Sequence, residues 1–240
     1  MTWQVDLVGD ATDVSELGKL APLLNCSVQT SPDGRPCLTG PALSELPGAA
    51  EVSAKAAHMV AVLNGILRMQ YGNHRPVKLG NAVSQTTPAG ARHVSLLLPV
   101  EEIRIRVGNP GMTVLRVDGK TEAVCSGDNA VRRARAVIGR PDLCEIAVVL
   151  SNEMSWQRLR VAFEKVSTLI GGGDNAFVKR GFATQAELDR FKANVQDPRL
   201  SGMDAVHGVS RGPLKGSKMS VEDGLAFVVR MLDRYLESET

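Results

Sequence analysis

The stretch Ala49-Ala-Glu-Val-Ser-Ala-Lys-Ala-Ala-His-Met-Val-Ala-Val-Leu-Asn-Gly-Ile-Leu-Arg-Met-Gln-Tyr71 decides how the chain reads. Val52, Ala56, Val60, Leu63 and Leu67 recur at helical spacing and make one apolar stripe. Pro47 precedes the run, and Gly72 is placed to end it. A helix this long needs a broad apolar surface to lie on. The flanking sequence supplies one.

On both sides the apolar period is 2. Trp3, Val5 and Leu7 alternate with Gln4 and Asp6, as in a half-buried strand. Asp13 is placed to cap a short helix carrying Val14, Leu17 and Leu20. Ser31-Pro32-Asp33-Gly34 is turn chemistry between two short strands, since proline presets φ and glycine accepts a positive one. Val94, Leu96 and Leu98 mark a further strand, as do Ile103, Ile105 and Val107. Residues 114–117 lead into the hairpin dipeptide Asp118-Gly119. These strands predict an antiparallel sheet with the long helix packed on one face.

After Ser126 the period becomes 3.6 and stays there. Val131, Ala134 and Ile138 make one helical face, and Leu143, Ile146, Ala147 and Leu150 a second. Trp156, Leu159, Phe163, Val166 and Ile170 make a third, stopped by Gly171-Gly172-Gly173. Thr184 with Glu187 is a capping box opening a helix through Leu188 and Phe191. Ser220 caps the last helix, with Val221, Leu225, Val228, Leu232 and Tyr235 facing inward. The expected class is α+β: a mixed unit over 1–124 (antiparallel sheet with a long packed helix), then an all-α bundle over 125–240. Seven of the nine aromatic residues fall in the second half, which points to two units with separate cores.

The 240 residues carry 28 basic and 26 acidic side chains, a net charge of +2. The charge is even along the chain: 11 basic and 11 acidic in 1–124, 7 and 5 in 125–173, 10 and 10 in 174–240. That balance, with 43% hydrophobic residues, argues against disorder, and the lack of a basic excess argues against duplex DNA. No apolar run approaches the ~20 residues needed to span a bilayer. The start of the chain lacks a basic stretch leading into an apolar run, so a cytoplasmic location is expected. Cys26, Cys37, Cys125 and Cys144 lack metal-ligand spacing and read as reduced, buried thiols, although Cys26 and Cys37 flank a hairpin turn. No metal and no cofactor are expected.

Most motif matches fail on context. Gly208-Val209-Ser210-Arg211-Gly212 has the nucleophile-elbow pattern, but Pro213 follows it and no histidine comes later. Gly171-Gly172-Gly173-Asp174 and Gly216-Ser217-Lys218 lack the order of a phosphate loop. Arg132, Arg133, Arg135 and Arg140 cluster on one helix, where a solvated face competes with an anion or nucleic-acid contact. Among the histidines, His58 reads as a core or boundary residue. His74 and His93 show no evident partner in the sequence. His207 stands apart, in a long glycine-rich connection over 199–218 with Arg199, Asp204, Arg211, Lys215 and Lys218.

Several features of residues 142–240 recur together: Ser155-Trp156 with Leu159, Phe163 and Glu164; Gly181-Phe182-Ala183-Thr184 with Glu187, Leu188 and Phe191; Ser201-Gly202 with Asp204, Ala205, His207 and Gly208; and Met219-Ser220 with Glu222, Asp223, Phe227 and Val228. In pattern this resembles the helical C-terminal part of a group of bacterial proteins, and in arrangement a small HEPN-type bundle. HEPN ribonucleases are dimeric and metal-independent, and pair an arginine with a histidine four to six residues on. The resemblance implies His207 as general acid or base, Arg199 stabilising the phosphorane charge, and Asp204 orienting the histidine. Here seven residues separate Arg199 from His207, and Val206 precedes the histidine.

Three functional expectations follow. The first is a non-catalytic accessory or defence-type module binding RNA, a nucleotide or a protein partner through 199–218. In it Arg211, Lys215, Lys218, Arg132 and Arg133 contact the anion. The second is a HEPN-like ribonuclease. The third is a homo-oligomeric scaffold. Membrane association is not expected in any of them.

Overall fold

A computed structural model describes residues 2–87, 91–96, 127–171, 173–206 and 216–239. The first half builds β1 (Thr2–Val8), α1 (Ala11–Leu20), a 3-10 turn (Ala21–Leu24), β2 (Ser27–Thr30) and β3 (Pro36–Thr39). It continues with a single turn α2 (Pro41–Ser44), the long α3 (Ala49–Tyr71), β4 (Lys78–Thr86) and β5 (Arg92–Leu96). The five strands form one sheet in the order β2-β3-β1-β4-β5. Every pairing is antiparallel.

The central strand is β1, paired on both sides, and even its Asp6 is buried. Val5 lies opposite both Leu38 of β3 and Val83 of β4, and all three are fully buried. The expected turn joins β2 to β3, with Gly34 at φ 77° and its N–H bonded to the Ser31 carbonyl. The cap of α1 differs from expectation. Asp10 accepts from the Thr12 N–H at 2.9 Å, while Asp13, one turn on, is free to reach elsewhere. Strand β4 has no clear alternation in the sequence. Its register against β1 shifts between Val5 and Leu7, and the irregularity brings Gly80 against Asp6. A Cβ at Gly80 would stand 2.8 Å from that of Asp6, so the residue that blurs the strand pattern is the one that lets the strands meet.

The second half is helical: α4 (Gly127–Ile138), α5 (Pro141–Leu150), α6 (Trp156–Ile170), α7 (Gly173–Lys179), α8 (Gln185–Gln196), a short α9 (Pro198–Ser201) and α10 (Val221–Ser238). The stripes expected on α5 and α6 are buried throughout. On α4 the buried face is Ala130, Ala134 and Val137, with Val131 and Ile138 half-buried beside it. Both capping boxes form: Thr184 with Glu187, and Ser220 with Asp223.

The architecture is the expected α+β, an antiparallel sheet with a long helix followed by helices. The separate cores are not what the chain builds. Helix α3 buries its expected stripe, and also Val62, Asn64, Gly65 and Ile66, because it lies against both the sheet and α5. Residues from Trp3 to Tyr235 form one continuous hydrophobic core. The aromatic asymmetry has a local cause: Trp156, Phe163, Phe177, Phe191 and Phe227 make one ring cluster within that core. The strands expected at 103–107 and 114–117, the Asp118-Gly119 turn, Leu98, Cys125 and the 124/125 boundary lie outside the described residues. Cys26, Cys37 and Cys144 are free thiols. Burial pushes the Cys26 thiol up to about 11, which leaves it unreactive. Across the hairpin Cys37 faces Gln29, not Cys26. Among the described residues, no helix is long and apolar enough to cross a membrane.

Candidate functional site: a cationic cleft beside a buried histidine

Helix α3 ends where Gly72 turns at φ 60° and its N–H bonds the Arg68 carbonyl. The chain then runs back to the sheet through residues 73–77 and drops His74 into the interior, 3% exposed. The ring meets an oxygen on each side. Asp13 Oδ1 of α1 lies 2.8 Å from Nδ1, and Asn64 Oδ1 of α3 lies 3.0 Å from Nε2. The Asn64 amide is itself fixed. It donates through Nδ2 to the Val77 carbonyl at 2.7 Å and accepts the Val77 N–H at 3.0 Å, so it cannot turn round. Asp13 also accepts the Arg75 N–H at 3.3 Å. A neutral imidazole has one N–H and satisfies one of these two oxygens; the protonated ring satisfies both. Burial lowers the pKa of the ring below its ordinary value, Asp13 pulls it back up, and the charge of Arg68 pushes it down again.

His74, Asn73 and Arg75 form a wall between two cavities. The smaller, about 690 Å³, has an apolar floor from Leu20, Leu67 and Val131 under Asp10, Asp13 and Glu16. Each of these carboxylates already has a partner. Asp10 caps α1, Asp13 holds His74, and Glu16 takes Lys19 and the Tyr71 hydroxyl.

The larger cavity, about 1240 Å³, is a cleft between α3, the start of β4 and the α5–α6 connection. Arg68, Arg75, Lys78 and Arg158 line it, against Glu153 and Asp204. Three of these cations are exposed at the rim, whereas Arg68 is half-buried. Its Nε is fully buried and has no hydrogen-bond partner among the described residues. Burial lowers the pKa of Arg68, opposed by Asp13 and Glu153. A buried guanidinium nitrogen without an acceptor is costly, and Arg68 stands in the lining of the cleft beside Arg75, Lys78 and Arg158. None of the described residues lining the cleft is Phe, Tyr or Trp.

The sequence-derived site residues divide. Asp204 reaches the cleft, so the 199–218 connection begins at its rim. Arg199 turns to Asp197, with Nε and Nη2 on the carboxylate at 2.9 and 2.5 Å. Lys218 is exposed, and its carbonyl accepts from Arg190. His207, Arg211, Lys215 and the Gly208–Gly212 pentapeptide lie outside the described residues. Of the expected arginine cluster, Arg132, Arg133 and Arg135 lie on α4 and Arg140 at the N-terminus of α5. Arg133 is bound to Asp233 and Gln70, and Arg140 to Asp142 and Tyr235, while Arg132 stays in solvent. His58, expected at the core or its boundary, is exposed, because the α3 stripe leaves it on the outer face. His74, which has no evident partner in the sequence, has two. Asp13 and Asn64 are 61 and 10 residues away from it, and no local spacing signals that meeting. Among the described residues, no group of histidine, cysteine and carboxylate side chains could hold a metal ion.

No family model, no curated protein and no solved structure matches this chain.

Proposed function

We propose that the protein is a binding module that holds the phosphodiester backbone of a short single-stranded RNA in the cleft of Arg68, Arg75, Lys78 and Arg158. The observation that carries this reading is the meeting of four cations, Arg68, Arg75, Lys78 and Arg158, around one cleft of about 1240 Å³, with Arg68 Nε lacking an acceptor among the described residues. Guanidinium groups match the geometry of phosphate oxygens and bind them in pairs. With no Phe, Tyr or Trp among the described lining residues and the His74 ring buried, contacts to the backbone are favoured over stacking on bases, and so binding with little sequence preference. Asp204 brings a residue of the 199–218 connection to the rim of the cleft.

The test is calorimetric titration with pentauridylate carrying no terminal phosphate, beside uridine diphosphate, at low salt. Pentauridylate should bind the more tightly, with affinity falling steeply as salt is added. Replacing Arg68 or Arg158 by alanine should weaken binding by about 10-fold or more, the effect of losing a charge-assisted hydrogen bond. Equal affinity of wild type and R68A would overturn the reading, as would diphosphate binding as tightly as the pentamer. The RNA recovered afterwards is run on a gel. Cleavage lost in His207→Ala would turn the conclusion to the HEPN-like ribonuclease, with Arg199 and His207 as its groups.

A further inference from the structure

We infer that RNA binding in the cleft is proton-linked through His74, so that the complex takes up a proton on the ring and binding tightens as the pH falls. This rests on the cleft reading above and adds its regulation. Two fixed oxygens flank the ring. Asn64 Oδ1 and Asp13 Oδ1 already stand 3.0 and 2.8 Å from the two ring nitrogens. A second N–H on the ring therefore finds its acceptor in place, and protonation requires no rearrangement.

The charges around the ring set the direction. From α1 it is faced by Asp13 and Glu16, from α3 by Arg68, and from its own connection by Arg75. Lys78 of β4, Arg158 of α6 and Glu153 stand further along the same cleft. Burial and the charge of Arg68 both weigh against a second proton on the ring, while Asp13 and Glu16 weigh for it. An anion on Arg68 cancels one of the two influences against it and adds a negative charge of its own beside His74. The protonated ring is then favoured. By reciprocity, a protonated ring favours the anion by the same factor. His58 and His93 are both exposed and away from the cleft lining, so they report nothing of this linkage.

The experiment titrates pentauridylate into the full chain from about pH 5 to 8, the range in which histidine changes charge. The phosphodiesters and uracil rings of this probe do not titrate there. At each pH, buffers of different ionisation heat count the protons taken up. Wild type should take up a fraction of a proton approaching one, and its dissociation constant should fall by up to ~10-fold per pH unit through the ring's titration. His74→Gln should abolish the uptake, while His58→Gln and His93→Gln should leave it unchanged. If His74→Gln does not fold, the wild-type His74 ring is titrated by NMR with and without the RNA, and its pKa should rise on binding. Binding without proton uptake, uptake that persists in His74→Gln, or a ring pKa unmoved by RNA would each overturn the linkage and leave the cleft reading standing. No binding of pentauridylate at any pH would overturn both.

Discussion

Gly65 of α3 lies directly against the carbonyl of Ala147 in α5: a Cβ built on Gly65 would overlap the Ala147 carbonyl group. The sheet-bearing half and the helical half therefore meet backbone to backbone, and a glycine makes that approach possible. A glycine inside a long helix costs ~1 kcal/mol against alanine when only propensity counts. Here the sign reverses. Gly65→Ala should lower the unfolding free energy by ~3 kcal/mol, since the displaced atoms are backbone and cannot rotate away. Urea denaturation measures it. The exposed Ala54→Gly in the same helix should cost ~1 kcal/mol through propensity alone. A stabilised Gly65→Ala protein would mean that α3 and α5 do not cross this closely.

Arg133 joins the same two halves at a second place. Its Nη2 bonds both oxygens of Asp233 at 2.8 and 2.9 Å, and its Nη1 bonds Gln70 of α3 at 2.9 Å. The arginine is largely buried and the carboxylate about one-third exposed, so screening leaves a modest coupling. A double-mutant cycle of Arg133→Ala with Asp233→Ala should give ~1 kcal/mol. Arg133→Ala should leave pentauridylate affinity unchanged, because the guanidinium is committed to holding α3, α4 and α10 together. A loss of RNA affinity equal to that of Arg68→Ala would return the α4 arginines to the binding surface.

What the sequence reveals follows the range of the interaction. Thr184 with Glu187, and Gly34 in its turn, act within four residues, and each stands where local chemistry puts it. The helical stripes of α5 and α6 are equally legible, since one face per helix is all they need. Three things are hidden, and all three are tertiary. Strand β4 is masked by Gly80, which belongs there because of Asp6 on another strand. The single core is masked because α3 has a second buried side, one that only α5 explains. The cleft is masked most of all. Arg68, Arg75 and Lys78 come from the end of α3, the connection after it and the start of β4, while Arg158 arrives from α6. The long 199–218 connection draws attention with its local richness in glycine and charge, yet Asp204 is its described contribution to the cleft.

The capping box of α8 predicts a pH dependence with a definite sign. Thr184 donates to Glu187 Oε2 through its backbone N–H and its hydroxyl, both at 2.8 Å. These bonds, with Arg230 and Arg234 nearby, hold the Glu187 carboxyl below its ordinary value. A depressed carboxyl stabilises the fold above its unfolded pKa of ~4.3, and that contribution is lost as the pH falls through the folded value. Glu187→Gln should therefore narrow the gap between stability at neutral pH and in acid. Thr184→Ala should cost ~1 kcal/mol at neutral pH. An acid limb of the same steepness in wild type and Glu187→Gln would show that the box carries no proton linkage.

The last prediction concerns two buried asparagines that do the same work in different places. Asn194 of α8 donates to the carbonyls of Arg190 and Ser217 and accepts from the Met219 N–H, each at 2.9 Å, and so pins the chain leading into α10. Asn64 pins Val77 in the same fashion and adds the His74 ring. Asn64→Ala strands the Val77 N–H, the Val77 carbonyl and one ring nitrogen away from solvent, so it should cost ~3 kcal/mol; Asn194→Ala should cost a similar amount. Binding should separate them. Loss of Asn64 frees the 73–77 connection that carries Arg75 to the cleft, and pentauridylate affinity should fall together with stability. Loss of Asn194 loosens residues 217–219, which are not among the residues lining the cleft, and affinity in the folded protein should hold. If both variants kept full affinity, the connection between α3 and β4 would not be what positions the cations, and the cleft would owe its charge to Arg68 and Arg158 alone.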